Sequence, residues 1–421
     1  MMNINLVGIN YSTAPLAIRE KAAIATGGAK NASNLLASLT PHGVIISTCN
    51  RTEVFTISAD NENKTANGLK FLKNCLGVSD DILHQHIYTL EGSAAVKHLF
   101  RTASGLDSMI IGEYEILGQV KQALAAAEKA RMTDLPLRHI FQSAIHTGRR
   151  VREETGISKN ALSVSSVAVD LATKAVGNLK SSRMLVIGAG DAGRLVAKAA
   201  KDRGVSQIVI ASRTQERASS LTVALGGTAI KLDDAIQEMC KCNIVVTCAN
   251  APHSLLTVNQ LKAIKKNRPG LPLVIIDIAV PRNVEPEVAQ LEGVFLYNID
   301  DLYSIHRKNR RRRESETNKA EGIVAEEMSK FAIWWRNHKT RPLVSAMMGK
   351  AEKIRISQLK RTMDKMPSLS DEDKYHMDKM TKAIITKILK DPIEVIKANG
   401  YKDDNFTEIL KELFQLSEAN K

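Results

Sequence analysis

Arg183-Met184-Leu185-Val186-Ile187-Gly188-Ala189-Gly190-Asp191-Ala192-Gly193 decides how the middle of the chain folds. A short run with an apolar interior reads as a buried strand, and the glycines after it open a helical pattern that reaches Arg203, with Gly204 placed to stop it. A G-x-G-x-x-G fingerprint requires this strand, turn and helix. Gly188 makes the tight turn, Gly190 lets backbone approach a pyrophosphate, and Gly193 lets helix and strand pack closely, while the helix N-terminal amides face the phosphates. Glycine turns also serve packing alone, but here strand, helix and following strand are all in place. About 20 residues on, where an NAD enzyme carries an acidic residue for its ribose, the chain offers Ser212-Arg213-Thr214. A guanidinium and two hydroxyls match a 2′-phosphate, so NADPH is expected over NADH. The nucleotide-binding set is then Gly188, Ala189, Gly190, Asp191, Ala192, Gly193, Ser212, Arg213 and Thr214.

Around this loop, apolar runs at 207–211, 243–247 and 273–277 alternate with helical stretches, which means right-handed crossovers and a parallel sheet. A small-residue helix from Ser163 to Val176 leads in, so a Rossmann domain is expected over 160–302. Upstream, strand signals at 4–9, 43–47 and 52–58 and helix signals at 32–39 and 66–76 describe an α/β unit. From Ala94 to about Arg152 the pattern is helical, broken at Asp134-Leu135-Pro136, and the unit is placed at 1–155. After Asp300-Asp301-Leu302 the sequence is long, charged and nearly free of glycine. A long helix and a helical bundle are expected over 303–421, a composition that commonly serves oligomerisation. The fold class is multidomain α/β plus all-α.

With 421 residues, 44% hydrophobic and 25% charged, the chain has room for two or three ordinary cores. Its formal net charge of +14 suits a large anionic partner. A tRNA fits, a membrane surface less well, and surplus solubility is the plainer reading. His306-Arg307-Lys308-Asn309-Arg310-Arg311-Arg312-Arg313 reads as a solvated helix face or a tRNA contact. The start of the chain lacks the basic and apolar regions of a signal peptide, and no run approaches the roughly 20 apolar residues of a membrane span. Five scattered cysteines do not look like a disulfide framework, so the cytosol is the expected home.

Val44-Ile45-Ile46-Ser47-Thr48-Cys49-Asn50-Arg51-Thr52-Glu53 puts a cysteine just past a strand, in a polar turn. A nearby cation would lower its pKa and raise its thiolate fraction; nucleophile and structural thiol both stay open on this ground. Cys75, in an amphipathic helix, reads as core. Cys240 and Cys242 would be half a metal site with no second half at ligand spacing, so no metal is expected.

The stretches Ser47–Glu53, Gly105-Leu106-Asp107-Ser108-Met109-Ile110-Ile111-Gly112-Glu113, Ile116-Leu117-Gly118-Gln119-Val120, Asp277-Ile278-Ala279-Val280-Pro281-Arg282 and the helix after Arg341-Pro342 are similar to those of the glutamyl-tRNA reductases, nearly end to end. The resemblance implies catalytic, NADPH-binding and helical dimerisation domains in that order. It implies Cys49 as nucleophile, His98 as the active-site histidine, and Thr48, Arg51, Ser108, Glu113 and Gln119 as residues that hold the glutamate moiety. Two places depart from the family: Tyr11 stands where a histidine is usual, and Thr247-Cys248-Ala249 replaces a more hydroxyl-rich segment. The implied chemistry is attack by Cys49 on glutamyl-tRNA, release of tRNA, and reduction of the thioester to glutamate-1-semialdehyde, with His98 assisting proton transfer and a nearby cation helping the thiol. It further implies a homodimer and hand-over of the aldehyde to glutamate-1-semialdehyde aminomutase. The rival readings are an NADP-dependent reductase of a free small carbonyl compound and a non-catalytic tRNA-binding regulator.

Overall fold

The computed structural model describes residues 4–24, 28–57, 65–77, 80–158, 164–177, 182–266, 272–306, 314–399 and 404–416. Two compact units result, one spanning 3–325 and one built on 326–421. The basic stretch from 307 to 313 and the Ser163 helix start lie outside the described residues. Among the described residues no helix is long and apolar enough to cross a membrane.

The N-terminal sheet contains β1 (Ile4–Asn10), β2 (Gly43–Ser47), β3 (Arg51–Ile57) and β4 (Tyr88–Glu91) in the order β2-β3-β1-β4. Every pairing is antiparallel, so the helices here cover the sheet rather than carry parallel crossovers. Helix Ser93–Ala103 shows why: Ala95, Val96, Leu99, Phe100 and Ala103 form one buried stripe. It lies on β1 and on helix Leu135–Glu154, whose Phe141 meets Phe55 of β3 edge-on at 5.3 Å. The break at Asp134-Leu135-Pro136 is a helix start. Asp134 Oδ1 caps it by accepting from Leu137 N at 2.8 Å, and proline fits the first turn.

The second sheet contains β5 (Arg183–Ile187), β6 (Gln207–Ser212), β7 (Thr228–Lys231), β8 (Ile244–Thr247), β9 (Leu273–Asp277) and β10 (Val294–Asn298), all parallel, in the order β10-β9-β8-β5-β6-β7. Alternation along β5 sends Met184 and Val186 into one buried layer and Leu185 and Ile187 into the other, so both faces are covered. The chain order reverses between β5 and β8. In a doubly wound sheet, that switch point is where ligands bind, beyond the carboxyl ends of the strands. The edge strands β7 and β10 carry no fully buried residue, although β10 is an apolar run.

A helix of 52 residues, Glu314–Lys365, crosses from the first unit into the second and continues through Pro342. Within the second unit, Leu343 and Met347 on that helix bury against Leu389 and Ile396 of helix Asp371–Asn399, with Leu410 and Phe414 closing the cluster. Met380, Ile384 and Ile388, one turn apart on one face of Asp371–Asn399, remain exposed.

Candidate active site

Cys49 sits in the connection between β2 and β3. Thr48 N donates to Arg51 O at 2.8 Å, and the Thr48 hydroxyl accepts from the amides of Asn50 and Arg51 at 3.1 and 3.2 Å. The turn is therefore built by its own threonine. The half-buried thiol packs beside the core that holds Leu16, Met109 and Ile110. Burial pushes it up to about 12, Glu113 and Glu115 push in the same direction, and Arg19 only partly opposes them. The expectation of a cation-activated thiolate is thus corrected: the groups that dominate beside Cys49 are carboxylates.

The neighbouring cation, Arg51, is occupied elsewhere. Residues two apart in a strand share a face, and Arg51 Nη1 donates to Glu53 Oε1 at 2.8 Å. It also donates to Thr102 Oγ1 at 2.9 Å, while Nη2 donates to the Asp107 carbonyl at 2.6 Å. Arg51 is only 2% exposed. Both protons of Nη1 and one of Nη2 are engaged in these bonds. Glu53 Oε1 also accepts from the Tyr88 hydroxyl at 2.5 Å and lies 3.0 Å from His98 Nε2. Burial alone would raise the Glu53 carboxyl, but Arg51 and His98 hold it at about 2. His98 Nδ1 faces Asp107 Oδ2 at 3.3 Å. Against its burial, Glu53 and Asp107 raise the imidazole to about 9. Both ring nitrogens face carboxylates, an arrangement that favours the imidazolium. Arg101 grips Asp107 at 2.8 Å and reaches Glu321 of the long helix with its other nitrogen.

Two glycines shape the loop that carries Asp107, Ser108 and Glu113. Gly105 and Gly112 have φ of 75° and 81°, and a Cβ on Gly112 would stand 2.2 Å from the Ile157 carbonyl oxygen. The loop leaves the Ser108 hydroxyl buried without a hydrogen bond of normal geometry. Ser108 lies close enough to Glu113 to lower its carboxyl, but burial wins and pushes it up to about 7, with Glu115 adding to the rise. Gln119, on helix Glu115–Lys129, lines a cavity of about 240 Å³ together with Ser47 and Gln122. Tyr11 donates its backbone N–H to Asn50 O at 2.9 Å and packs against the same core as Cys49. Cys75 is half-buried rather than core.

At the switch point, Gly188 has φ of 123°, and a Cβ on Gly193 would stand 1.9 Å from Gly188 O, whereas a Cβ on Gly190 would meet nothing within 4 Å. Gly193 thus serves packing, and Gly190 caps helix Asp191–Asp202 with open space in front of it. A cavity of about 560 Å³ follows, lined by Ala189, Gly190 and Ser220, by the cationic Arg194 and Arg217 and by the acidic Asp191 and Glu216. Ala192 packs on the core below. Ser212 Oγ accepts from Thr214 N at 3.2 Å, and the exposed Arg213 rests its Nη2 on Asn250 O at 3.2 Å. An open glycine, amides at a helix start and flanking guanidiniums fit a dinucleotide phosphate. Sequence reasoning missed Arg194 and Arg217, although Arg217 stands in the first turn of the helix that begins just after Arg213. Cys248 lies under the loop, its thiol donating to Ile187 O at 3.4 Å.

Comparison with known proteins follows this division. The family description "Glutamyl-tRNAGlu reductase, N-terminal domain" matches residues 7–155, "Shikimate / quinate 5-dehydrogenase" matches 170–305, and "Glutamyl-tRNAGlu reductase, dimerisation domain" matches 319–416. The glutamyl-tRNA reductase of Natranaerobius thermophilus is 36% identical, over 99% of this chain and 92% of its own. That of Pelobacter propionicus is 35% identical, over 100% of this chain and 97% of its own. Among solved structures, the glutamyl-tRNA reductase from Methanopyrus kandleri is similar at 32% identity and a TM-score of 0.50, covering 99% of this chain and 100% of that one.

Proposed function

The chain belongs to the glutamyl-tRNA reductase family, and from that premise we propose that Cys49 carries the glutamyl group between its tRNA and a hydride. The protein is an enzyme that reduces glutamyl-tRNA to glutamate-1-semialdehyde, for tetrapyrrole synthesis, with a nicotinamide cofactor. We assign the work to a catalytic domain at 1–155, a nucleotide-binding domain at 160–302 and a helical dimerisation domain at 303–421. The compartment is the cytosol, where the charged tRNA is made, and the aminomutase that consumes the aldehyde is the receiving partner.

The observation that carries the reading is a half-buried thiol in the turn it shares with Arg51, with Glu113 and Glu115 acting on it. A glutamyl ester brings an ammonium and a carboxylate. The ammonium complements Glu113 and Glu115, and the carboxylate complements the Arg51 guanidinium. The Thr48 hydroxyl and the orphaned Ser108 hydroxyl supply further hydrogen bonds, and Gln119 completes the substrate set. Arrival of a cation beside Glu113 and Glu115 weakens the part of the field, added to burial, that keeps the thiol protonated, so substrate binding eases its ionisation.

Sγ then bonds to the ester carbonyl carbon, the bond to the ribose oxygen breaks, and the thiol proton passes through Glu113 to the departing hydroxyl. His98, an imidazolium between Glu53 and Asp107, fixes Arg51 and Asp107 in place. Gly188, Gly190 and the first amides of the following helix would hold the cofactor pyrophosphate, and Arg213, Ser212 and Thr214 would take the 2′-phosphate of NADPH, with Arg194 and Arg217 nearby. When bound, that cofactor supplies the hydride that turns the thioester into an aldehyde and frees the sulfur. The surplus of cationic side chains suits a tRNA partner.

Incubating the enzyme with glutamyl-tRNA and NADPH tests the reading. Semialdehyde together with discharged tRNA supports it; reduction of free aldehydes without any demand for tRNA, or tRNA binding without turnover, supports one of the two rivals instead.

A further inference from the structure

The stretch Asp277–Arg282 does not enter the chemistry above, yet it is tightly built. Asp277 Oδ1 accepts from Thr247 Oγ1 at 2.8 Å and Ala279 N at 3.0 Å, and Oδ2 accepts from Asn283 N at 2.8 Å and Val284 N at 2.9 Å. One carboxylate thus folds the loop after β9 around itself and presents Arg282 at a fixed point. Arg282 reaches the N-terminal region: Nε and Nη2 donate to the two carboxylate oxygens of Glu20 at 2.9 and 2.6 Å. Glu20 stands on the short helix Leu16–Ala22.

Its neighbour Arg19 makes the second crossing. Arg19, 2% exposed, donates Nε to Ala14 O at 3.2 Å and Nη1 to the backbone carbonyl of Cys49 at 2.9 Å. Its Nη2 pairs with Asp300 Oδ1 beyond the end of β10. One guanidinium therefore holds the nucleophile's backbone with one nitrogen and the nucleotide-binding region with the other.

We propose that Arg19 is a positioning residue for Cys49, one arm of a latch whose other arm is the Glu20–Arg282 ion pair, so that the nucleophile is set by the contacts that dock the nucleotide-binding region against it. This rests on the reading of Cys49 as the acyl carrier. Acyl transfer needs the turn, Glu113 and the Arg51 cluster. Reduction also needs the hydride donor at a fixed distance from the thioester, and that distance is what the latch fixes. An open latch leaves the thioester to water, and the glutamate is lost by hydrolysis.

The test uses the full-length protein, with Glu20→Arg, Arg282→Glu and the double exchange E20R/R282E. The first readout is the rate of Cys49 alkylation by iodoacetamide, which needs neither tRNA nor cofactor. The two single changes alter the local charge in opposite directions, so a purely electrostatic effect would move the rate in opposite directions. An opened latch speeds alkylation in both, by about five- to tenfold for a broken ion pair of ordinary coupling, and the exchange returns it close to wild type. The second readout is the share of the Cys49-bound glutamyl group that ends as semialdehyde rather than free glutamate. It should fall in both single variants and recover in the exchange. Opposite or absent changes in alkylation, or singles that the exchange does not restore, overturn the latch. Failure of the wild type to form a thioester would count against the acyl-carrier reading alone, since alkylation would still report on the latch.

Discussion

His98 Nε2 lies 3.0 Å from Glu53 Oε1, with Asp107 Oδ2 3.3 Å from the other ring nitrogen. Glu53 and Asp107 raise the imidazole, against its burial, to about 9. Since the folded value lies above the ordinary one, near 6.5, this group's stabilisation is fully present below about pH 6.5 and is lost as pH rises through 9. The stability lost over that window is on the order of 3 kcal/mol. Tm should fall between pH 7 and 9.5, and the fall should shrink in His98→Asn. Glu53 and Asp107, both held at about 2, act with opposite sign: their stabilisation is present above about pH 4.3 and fades as pH drops towards 2. An equal high-pH loss in His98→Asn would contradict the assignment.

Iodoacetamide should label Cys49 in the free enzyme slowly at pH 7.5, because burial and two carboxylates push the thiol up to about 12. Removing one of those charges in Glu113→Gln lowers the thiol pKa and should speed labelling at fixed pH. A labelling rate like that of an exposed thiol, with an ordinary pKa near 8.5, would refute the protonated resting state.

The glycine loop separates binding from folding. A side chain at Gly190 meets nothing within 4 Å, whereas one at Gly193 meets Gly188 O at 1.9 Å. Gly190→Val should keep the Tm of the parent and lose NADPH binding; Gly193→Ala should lower both. In Arg213→Ala, NADPH binding should weaken by about 1.5–3 kcal/mol, the worth of a charge-assisted contact, with NADH scarcely affected. Fluorescence titration with both cofactors checks this, and equal losses would remove Arg213 from the 2′-phosphate.

Assembly is expected through the exposed stripe of Met380, Ile384 and Ile388, which an unpartnered helix would leave in water. Ile384→Asp with Ile388→Asp should convert the dimer to monomer in sedimentation without loss of helix content. A variant that remained dimeric would move the interface elsewhere.

The sequence made the parallel sheet legible because its four inner strands are apolar runs and its phosphate loop is spelled in glycine. The edge strands escaped for different reasons: Thr228–Lys231 is short and mixed, whereas Val294–Asn298 is an apolar run that was passed over and that stays half-exposed. Cys49 was readable as a turn cysteine, but its electrostatics were not. Glu113 arrives from a loop more than sixty residues away, shaped by the positive φ of Gly105 and Gly112, and Glu115 from the helix that follows it. The pairing of Arg51 with Glu53 was readable in principle from a spacing of two on a strand. His98 could be named from the family resemblance, yet its two carboxylate partners come from β3 and from the loop after its own helix, and only the fold brings them together.

The most direct test of the central claim is a single turnover of glutamyl-tRNA without any nicotinamide cofactor, with protein-bound glutamate and discharged tRNA measured together. If Cys49 carries the glutamyl group, the wild type releases tRNA and holds glutamate in a bond that hydroxylamine cleaves. Cys49→Ser then does neither, because an unactivated hydroxyl is a far poorer nucleophile than a thiolate. Protein-bound glutamate absent from the wild type, or semialdehyde made by Cys49→Ser at the parental rate once NADPH is added, would contradict the covalent route and require direct reduction of the ester.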